Sequence, residues 1–238
     1  MPVAGNRRVF GGGTGARGIK FIHDANCVLW LPGQDDAYSS TIRDKSGNLN
    51  NGTITGATWV KNNQGLWSLS FNGAGDEGDC GSGSSLTITD NITIEGWVKL
   101  DNLSGYDAPI SKGIDGNMNW GLEYTRTLRF YYYGTTWHTY DTGSNVITDT
   151  TTWHHFATTN VFTAANCAVY LDGVVMSGSW TQGNGTEAPL TQANPAKIGW
   201  CPWGTLPGDL ALLRVYNRIL GSSEVASHFR QERHLFGV

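Results

Sequence analysis

Between residues 21 and 220 the apolar residues come in short alternating or continuous runs, separated by clusters of Gly, Asn and Asp. That spacing predicts strands joined by tight turns. Ile92, Ile94, Gly96, Val98 and Leu100 fall on one face of a single strand, with Thr93, Glu95, Trp97 and Lys99 on the other. Ala211, Leu213 and Val215 alternate with Leu212, Arg214 and Tyr216 in the same way. The run Cys27–Leu31 closes at Pro32-Gly33, and Leu128–Tyr133 stops at Gly134. Between Val169–Leu171 and Val174–Met176, Asp172-Gly173 supplies the positive φ angles of a type I′ hairpin. Residues 221–238 predict a short helix capped by Ser222 or Ser223, followed by an apolar tail. Residues 1–20 show no hydrophobic period, and no internal repeat is found. The expected layout is an arm over 1–20, a sandwich over 21–220 and a helix with its tail over 221–238. The expected fold class is all-β, a two-sheet antiparallel β-sandwich with Val98, Phe156 and Val215 buried and under a tenth of the chain α-helical.

Composition agrees with that class. Gly numbers 32 of 238 residues, Trp, Tyr and Phe together supply the bulky apolar bodies of a core, and only 15% of residues are charged, against roughly 25% in an ordinary domain. The net charge of −4 argues against nucleic acid as a partner of the whole chain. Its distribution adds something. Arg7, Arg8, Arg17 and Lys20 lie in a stretch without an acid, around Val9, Phe10 and Gly11–Gly13. A basic, Gly-rich arm with an apolar anchor at Val9 and Phe10 is expected to dock on an acidic surface, that of a neighbouring copy or of its own sandwich. No classical signal peptide or apolar window long enough to span a membrane is expected.

Cys27, Cys80, Cys167 and Cys201 are too widely spaced for a metal site and fit either disulfides or buried thiols. His154 and His155 are adjacent on a strand, so their imidazoles point to opposite faces and do not converge on one substrate. No Gly-x-Ser-x-Gly elbow occurs, and Gly11–Gly15 lacks the Lys-Ser/Thr of a phosphate-binding loop. Asp44, Asn48, Asn50 and Asn51 gather hard oxygen donors around Gly47 and Gly52, a composition suited to Ca²⁺ or to an Asx-rich turn that satisfies its own backbone. Trp137, Trp200 and Trp203 lie in or near loops, suited to stacking on a glycan or to a protein contact.

Several segments together resemble one family. Leu29-Trp-Leu-Pro, then Asp44-Lys-Ser-Gly-Asn-Leu-Asn-Asn-Gly-Thr53, resembles the opening of laminin-G-like jelly rolls. Leu69-Ser-Phe-Asn-Gly73, Thr93-Ile-Glu-Gly-Trp-Val98, Thr152-Trp-His-His-Phe-Ala157, Val169-Tyr-Leu-Asp-Gly173, Lys197-Ile-Gly199 and Arg214-Val-Tyr-Asn-Arg218 follow in that family's order. The resemblance implies the concanavalin A-like fold. It also implies a Ca²⁺ site between the Asp44 loop and other loops, to which Asp76 could contribute. Glucanases of the superfamily carry alternating acids on one strand, where this chain has only Glu95, so no enzymatic activity is expected. Two readings remain open. One is a structural subunit that assembles with copies of itself or with a capsid or fibre scaffold, in a virion or an extracellular assembly. The other is a calcium-dependent, carbohydrate-binding lectin-like module.

Overall fold

The structure is a computed structural model and describes residues 24–33, 38–124, 127–143 and 145–238. In chain order the first strands are β1 (Cys27–Leu31), β2 (Thr41–Ile42), β3 (Gly52–Thr55), β4 (Thr58–Lys61), β5 (Trp67–Asn72) and β6 (Glu77–Asp79). The long central strands follow: β7 (Asn91–Leu100), β8 (Asp107–Ile114), β9 (Asn117–Tyr124), β10 (Leu128–Tyr133), β11 (Trp137–Asp141) and β12 (His154–Val161). The rest are β13 (Asn166–Leu171), β14 (Val174–Met176), β15 (Ser179–Gln182), β16 (Ala196–Ile198), β17 (Trp200–Cys201), β18 (Gly204–Thr205) and β19 (Pro207–Tyr216), ahead of helix α1 (Ser222–Glu232).

Two antiparallel sheets stack face to face. The first runs β14-β13-β12-β7-β19-β5-β4, with β1 pairing the second half of β19; the second runs β15-β11-β10-β9-β8-β16-β6-β3-β2. The hairpin of β17 and β18 stands apart. Between the sheets lies the main core, which contains Ile92, Ile94, Val98 and Leu100 from β7, Phe156 from β12 and Val215 from β19, as the alternation predicts. With 11 residues in α1, the α-helical share is as small as expected.

Three local expectations are refined. First, the strict alternation in β19 breaks. Ala211 pairs with Trp97 and Arg214 with Glu95, so Leu212 and Leu213 together oppose Gly96. Leu212 takes a positive φ of 50° to make this bulge. Leu213 and Val215 therefore enter the main core, whereas Ala211 joins Leu212 on the opposite face. Second, the helix cap is Gly221; Ser222 is already the first helical residue. The Glu224 side chain accepts the Gly221 amide at 2.8 Å, the glutamate half of a capping box, and no side chain caps the first-turn amides in place of the expected serine hydroxyl. Third, all four cysteines are free thiols. The Asp172-Gly173 turn is as predicted, with φ of 50° and 76°.

The basic arm, with Arg7, Arg8, Val9, Phe10 and Arg17, lies outside the described residues. Among the described residues no helix is long and apolar enough to cross a membrane.

Candidate functional site

The outer face of the second sheet carries an open groove of about 530 Å³. Its floor follows from the alternation of two neighbouring strands. Leu128, Phe130 and Tyr132 of β10 turn into the core, which leaves Arg129 and Tyr131 facing out. The β10–β11 register sets Tyr133 opposite Trp137, Tyr131 opposite Thr139 and Arg129 opposite Asp141. On the other side Arg129 pairs with Glu123 and Tyr131 with Gly121 of β9. The missing side chain at Gly121 is structural, because a Cβ there would come within 2.3 Å of the Tyr131 ring. The ring lies across β9 only because nothing stands in its way. At the groove's edge the β17–β18 turn brings in Trp203, and Tyr106 lines the same side.

The three rings pack edge to face: Trp137 to Trp203 at 5.2 Å, Tyr131 to Trp203 at 5.3 Å and Tyr131 to Trp137 at 6.3 Å between centroids. Such mutual bracing fixes their orientation without hydrogen bonds. Trp203 remains 39% exposed and Tyr106 48%. Around the rings stand Asp115, Glu123, Arg129, Thr139, Thr181 and Gln182. Arg129 is held through Nε by the Asp141 carboxylate, and its Nη1 lies 3.5 Å from Glu123 Oε1. Glu123 is 5% exposed, and its Oε2 has no hydrogen-bond partner. Burial pushes the Glu123 carboxyl up to about 7, more than the nearby Arg129 lowers it. Asp141 is held below the ordinary carboxylate range: burial opposes this, and the Gly143 amide and Arg129 outweigh it.

Of the three tryptophans singled out in the sequence, Trp137 and Trp203 therefore meet at one site. Trp200 does not line the groove; Lys197 lies over its ring at 4.6 Å and its carbonyl accepts the Ser111 hydroxyl. Tyr131, Glu123 and Arg129 were missed. The signal was present in Leu128–Tyr133, where alternation puts Arg129 and Tyr131 on the face opposite the core, beside Trp137 across a short turn.

The oxygen-rich loop is a different kind of place. Asp44 Oδ1 accepts the Trp30 and Ser46 amides at 2.9 and 2.8 Å, while Oδ2 accepts the Ser46 hydroxyl and the Asn50 amide at 2.8 and 3.0 Å. Asn51 Oδ1 accepts the Asp44 amide, and Asn48 donates through Nδ2 to the Cys27 carbonyl. Asp76 belongs to another loop, where Oδ2 accepts the Asn72 amide. The side-chain oxygens of Asp44, Asn51 and Asp76 thus accept protein donors, and no group of three or more His, Cys, Asp or Glu able to hold a metal occurs among the described residues. As folded, the loop does not fit a Ca²⁺ sphere, which needs several of these oxygens turned to one centre.

The carboxylate that glucanase logic singled out is consumed elsewhere. Glu95 is fully buried and receives Arg214 Nη1 at 2.8 Å, the Tyr216 hydroxyl at 3.0 Å and His228 Nδ1 at 3.0 Å. Burial alone would raise its pKa, but Arg214, with His155 and His228 nearby, holds it well below the ordinary range. His155 faces this network, whereas His154 faces Asp172 and Asp149 at 2.9 and 3.3 Å, on opposite sides of β12 as expected. A second depression, of about 610 Å³, borders the C-terminal tail. There Lys99 pairs with Asp209 at 2.8 Å and covers the ring of Trp153, which leaves no free aromatic face.

Comparison with known structures returns the same architecture. The binding domain of Paraclostridial Mosquitocidal Protein 1 superposes with a TM-score of 0.65 at 18% identity, over 86% of this chain and 52% of that one. Domain 4 of AbnA, a GH43 extracellular arabinanase from Geobacillus stearothermophilus solved in complex with arabinotriose, gives 0.65 at 20% identity, over 85% of this chain and 97% of that domain. Trypanosoma rangeli sialidase gives 0.62 at 22% identity, over 89% of this chain. The chain spans about half of the mosquitocidal binding domain and about a third of the sialidase. A comparison with curated protein sequences gives no match. The Laminin_G_3 family model matches residues 71–226, about two thirds of the chain, and with the jelly-roll sheets this places the protein in that family of the concanavalin A-like lectin/glucanases superfamily.

Proposed function

We propose that the protein is a non-catalytic carbohydrate-binding module whose ligand lies in the groove on the outer face of the second sheet. The observation that carries this reading is the pair of partly exposed indoles, Trp137 and Trp203, braced on the buried ring of Tyr131 beside the polar side chains of Glu123, Arg129, Thr139 and Gln182. Aromatic faces offer apolar surface to the C–H face of a sugar ring, and flanking polar groups meet its hydroxyls. The neighbouring arabinanase domain was solved with arabinotriose, which is compatible with glycan binding on this fold. The absence of catalysis is supported by Glu95, locked in the charge network, and by Asp141, whose two oxygens hold Arg129 and the Gly143 amide. Binding is independent of calcium, because the Asp44 loop and the groove share no residue.

The test is a screen of neutral and acidic oligosaccharides, followed by calorimetry on the wild type and on Trp137→Ala, with and without a chelator. The expected result is binding that weakens at least about tenfold in Trp137→Ala and is unmoved by the chelator. No ligand in the screen, or an unaffected Trp137→Ala, overturns the reading. Loss of binding in chelator restores a metal requirement.

One observation favours a structural subunit as a second reading. Val174 and Val175 are 63% and 57% exposed on β14, the edge of the first sheet, and an apolar edge is a template for pairing with another chain. Deleting residues 1–18 and measuring mass by sedimentation tests whether the arm joins copies. A full-size assembly from the truncated chain dismisses the arm as connector.

A further inference from the structure

We infer that the groove selects neutral oligosaccharides, and that the bound sugar covers a carboxyl, that of Glu123, whose proton is part of the binding-competent state. This deepens the carbohydrate reading and rests on it.

The charge pattern carries the first half. Arg129 is the one cation among the described residues that line the groove, and it is not free. Asp141 holds its Nε, and Glu123 Oε1 stands 3.5 Å from its Nη1. Asp115 adds a further acid to the lining. A carboxylated or sulfated sugar would find the groove's cation already paired with Asp141 and the carboxylate of Asp115 in the lining, and so lose its hydration without a compensating partner. A neutral sugar needs only apolar faces and hydroxyl partners, which Trp137, Trp203, Thr139, Thr181 and Gln182 provide.

The second half rests on the placement of Glu123. It lines the groove, yet is nine-tenths buried, with Oε2 lacking any donor. An ionised carboxylate in that position leaves charge unmatched under the aromatic floor. Among the described residues the charged or titratable groups around it are Arg129 and Tyr131 from β10, Asp141 from β11, Cys201 from β17 and Asp115 at the turn after β8. Only Arg129 favours the ionised form, and burial outweighs it, so the carboxyl titrates near 7. A sugar laid over Trp137 and Trp203 removes more water from this group and so penalises the ionised form further. Affinity is then highest with the proton on and falls as pH rises through 7.

The experiment is calorimetry from pH 5.5 to pH 9 with arabinotriose and cellotetraose as neutral probes and trigalacturonic acid and 3′-sialyllactose as acidic ones, on wild type and Glu123→Gln. The expected result is binding of a neutral probe that weakens about tenfold from the acid to the alkaline end, equivalent to a rise of about one unit in the carboxyl's pKa on covering. In Glu123→Gln, which cannot ionise, the profile is flat. If acidic probes bind in a manner lost in Trp137→Ala, the carbohydrate reading stands and neutral selectivity is overturned. If a neutral probe binds with the same affinity at every pH, the role of Glu123 is overturned. If none of the four binds and the wider screen is also empty, the carbohydrate reading itself has failed. Should Glu123→Gln not fold, carbon-13 titration of the Glu123 carboxyl in the wild type decides instead: its pKa rises on saturation with the neutral probe, and an unmoved pKa refutes the inference.

Discussion

The two sheets treat their outer faces in opposite ways. On the first sheet, α1 and the C-terminal tail cover β7, β12 and β19 and build a second core from Trp30, Trp97, Tyr170, Tyr216, Val225 and Phe236. Beneath the helix sit charges that no water reaches. Arg214 bridges Glu95 and Glu232, stacks 4.1 Å over Trp30, and shares Glu232 with Trp97 Nε1, which donates at 2.8 Å. On the second sheet no helix arrives among the described residues, and the outward residues of β9, β10 and β11 form the groove. Both faces hold an arginine between two carboxylates. Around Arg214 each carboxylate oxygen has a donor, whereas around Arg129 one oxygen of Glu123 is left without any. A closed network fastens an element; an incomplete one beside an open groove leaves room for a ligand.

The largest expected effect breaks the sealed side. Arg214→Met leaves Glu95 and Glu232 buried without their cation and should cost about 3–5 kcal/mol, detaching α1. Denaturant melts followed by tryptophan fluorescence read this directly, and a loss below about 1 kcal/mol contradicts the latch.

Next comes the pH dependence on the open side. Because the folded pKa of Glu123 is raised, its contribution to stability is fully present below the unfolded value near 4.5 and is lost as pH rises through about 7. Glu123→Gln removes that loss, so the variant should gain on the wild type by on the order of 3 kcal/mol between pH 4.5 and pH 8. Asp107, which burial also pushes up to about 7, titrates in the same window in both proteins. The difference between variant and wild type is therefore the quantity to measure.

Gly121→Ala sharpens the comparison differently. Its methyl would collide with the Tyr131 ring, so we expect a destabilisation of about 1–3 kcal/mol and weaker glycan binding from a residue that touches no ligand. The smallest effect on folding belongs to Trp203→Ala. At 39% exposure in a two-residue turn it should leave melting nearly unchanged while weakening glycan binding by about 1–2 kcal/mol. Equal losses of stability and binding would mark Trp203 as a packing residue.

Much of this was legible before the structure. The alternation in Asn91–Leu100, the Asp-Gly hairpin and the ordered family segments determine strands, turns and fold, because a period of two leaves few ways to bury one face. The opposed His154 and His155 follow from the same rule. Asp44 stood in the sequence as a candidate Ca²⁺ ligand or as part of an Asx-rich turn, because a sequence of oxygen donors does not say whether they turn toward an ion or toward backbone amides. Only the tertiary structure decided that four such hydrogen bonds close the Asp44 carboxylate on itself. It alone decided that β19 slips by one residue at Leu212, that one outer face is roofed while the other is open, and that Trp137 and Trp203 meet although 66 positions apart. Strand faces are local properties of the chain; the neighbour that covers a face, and the water left on a carboxyl, are set by residues far away in sequence.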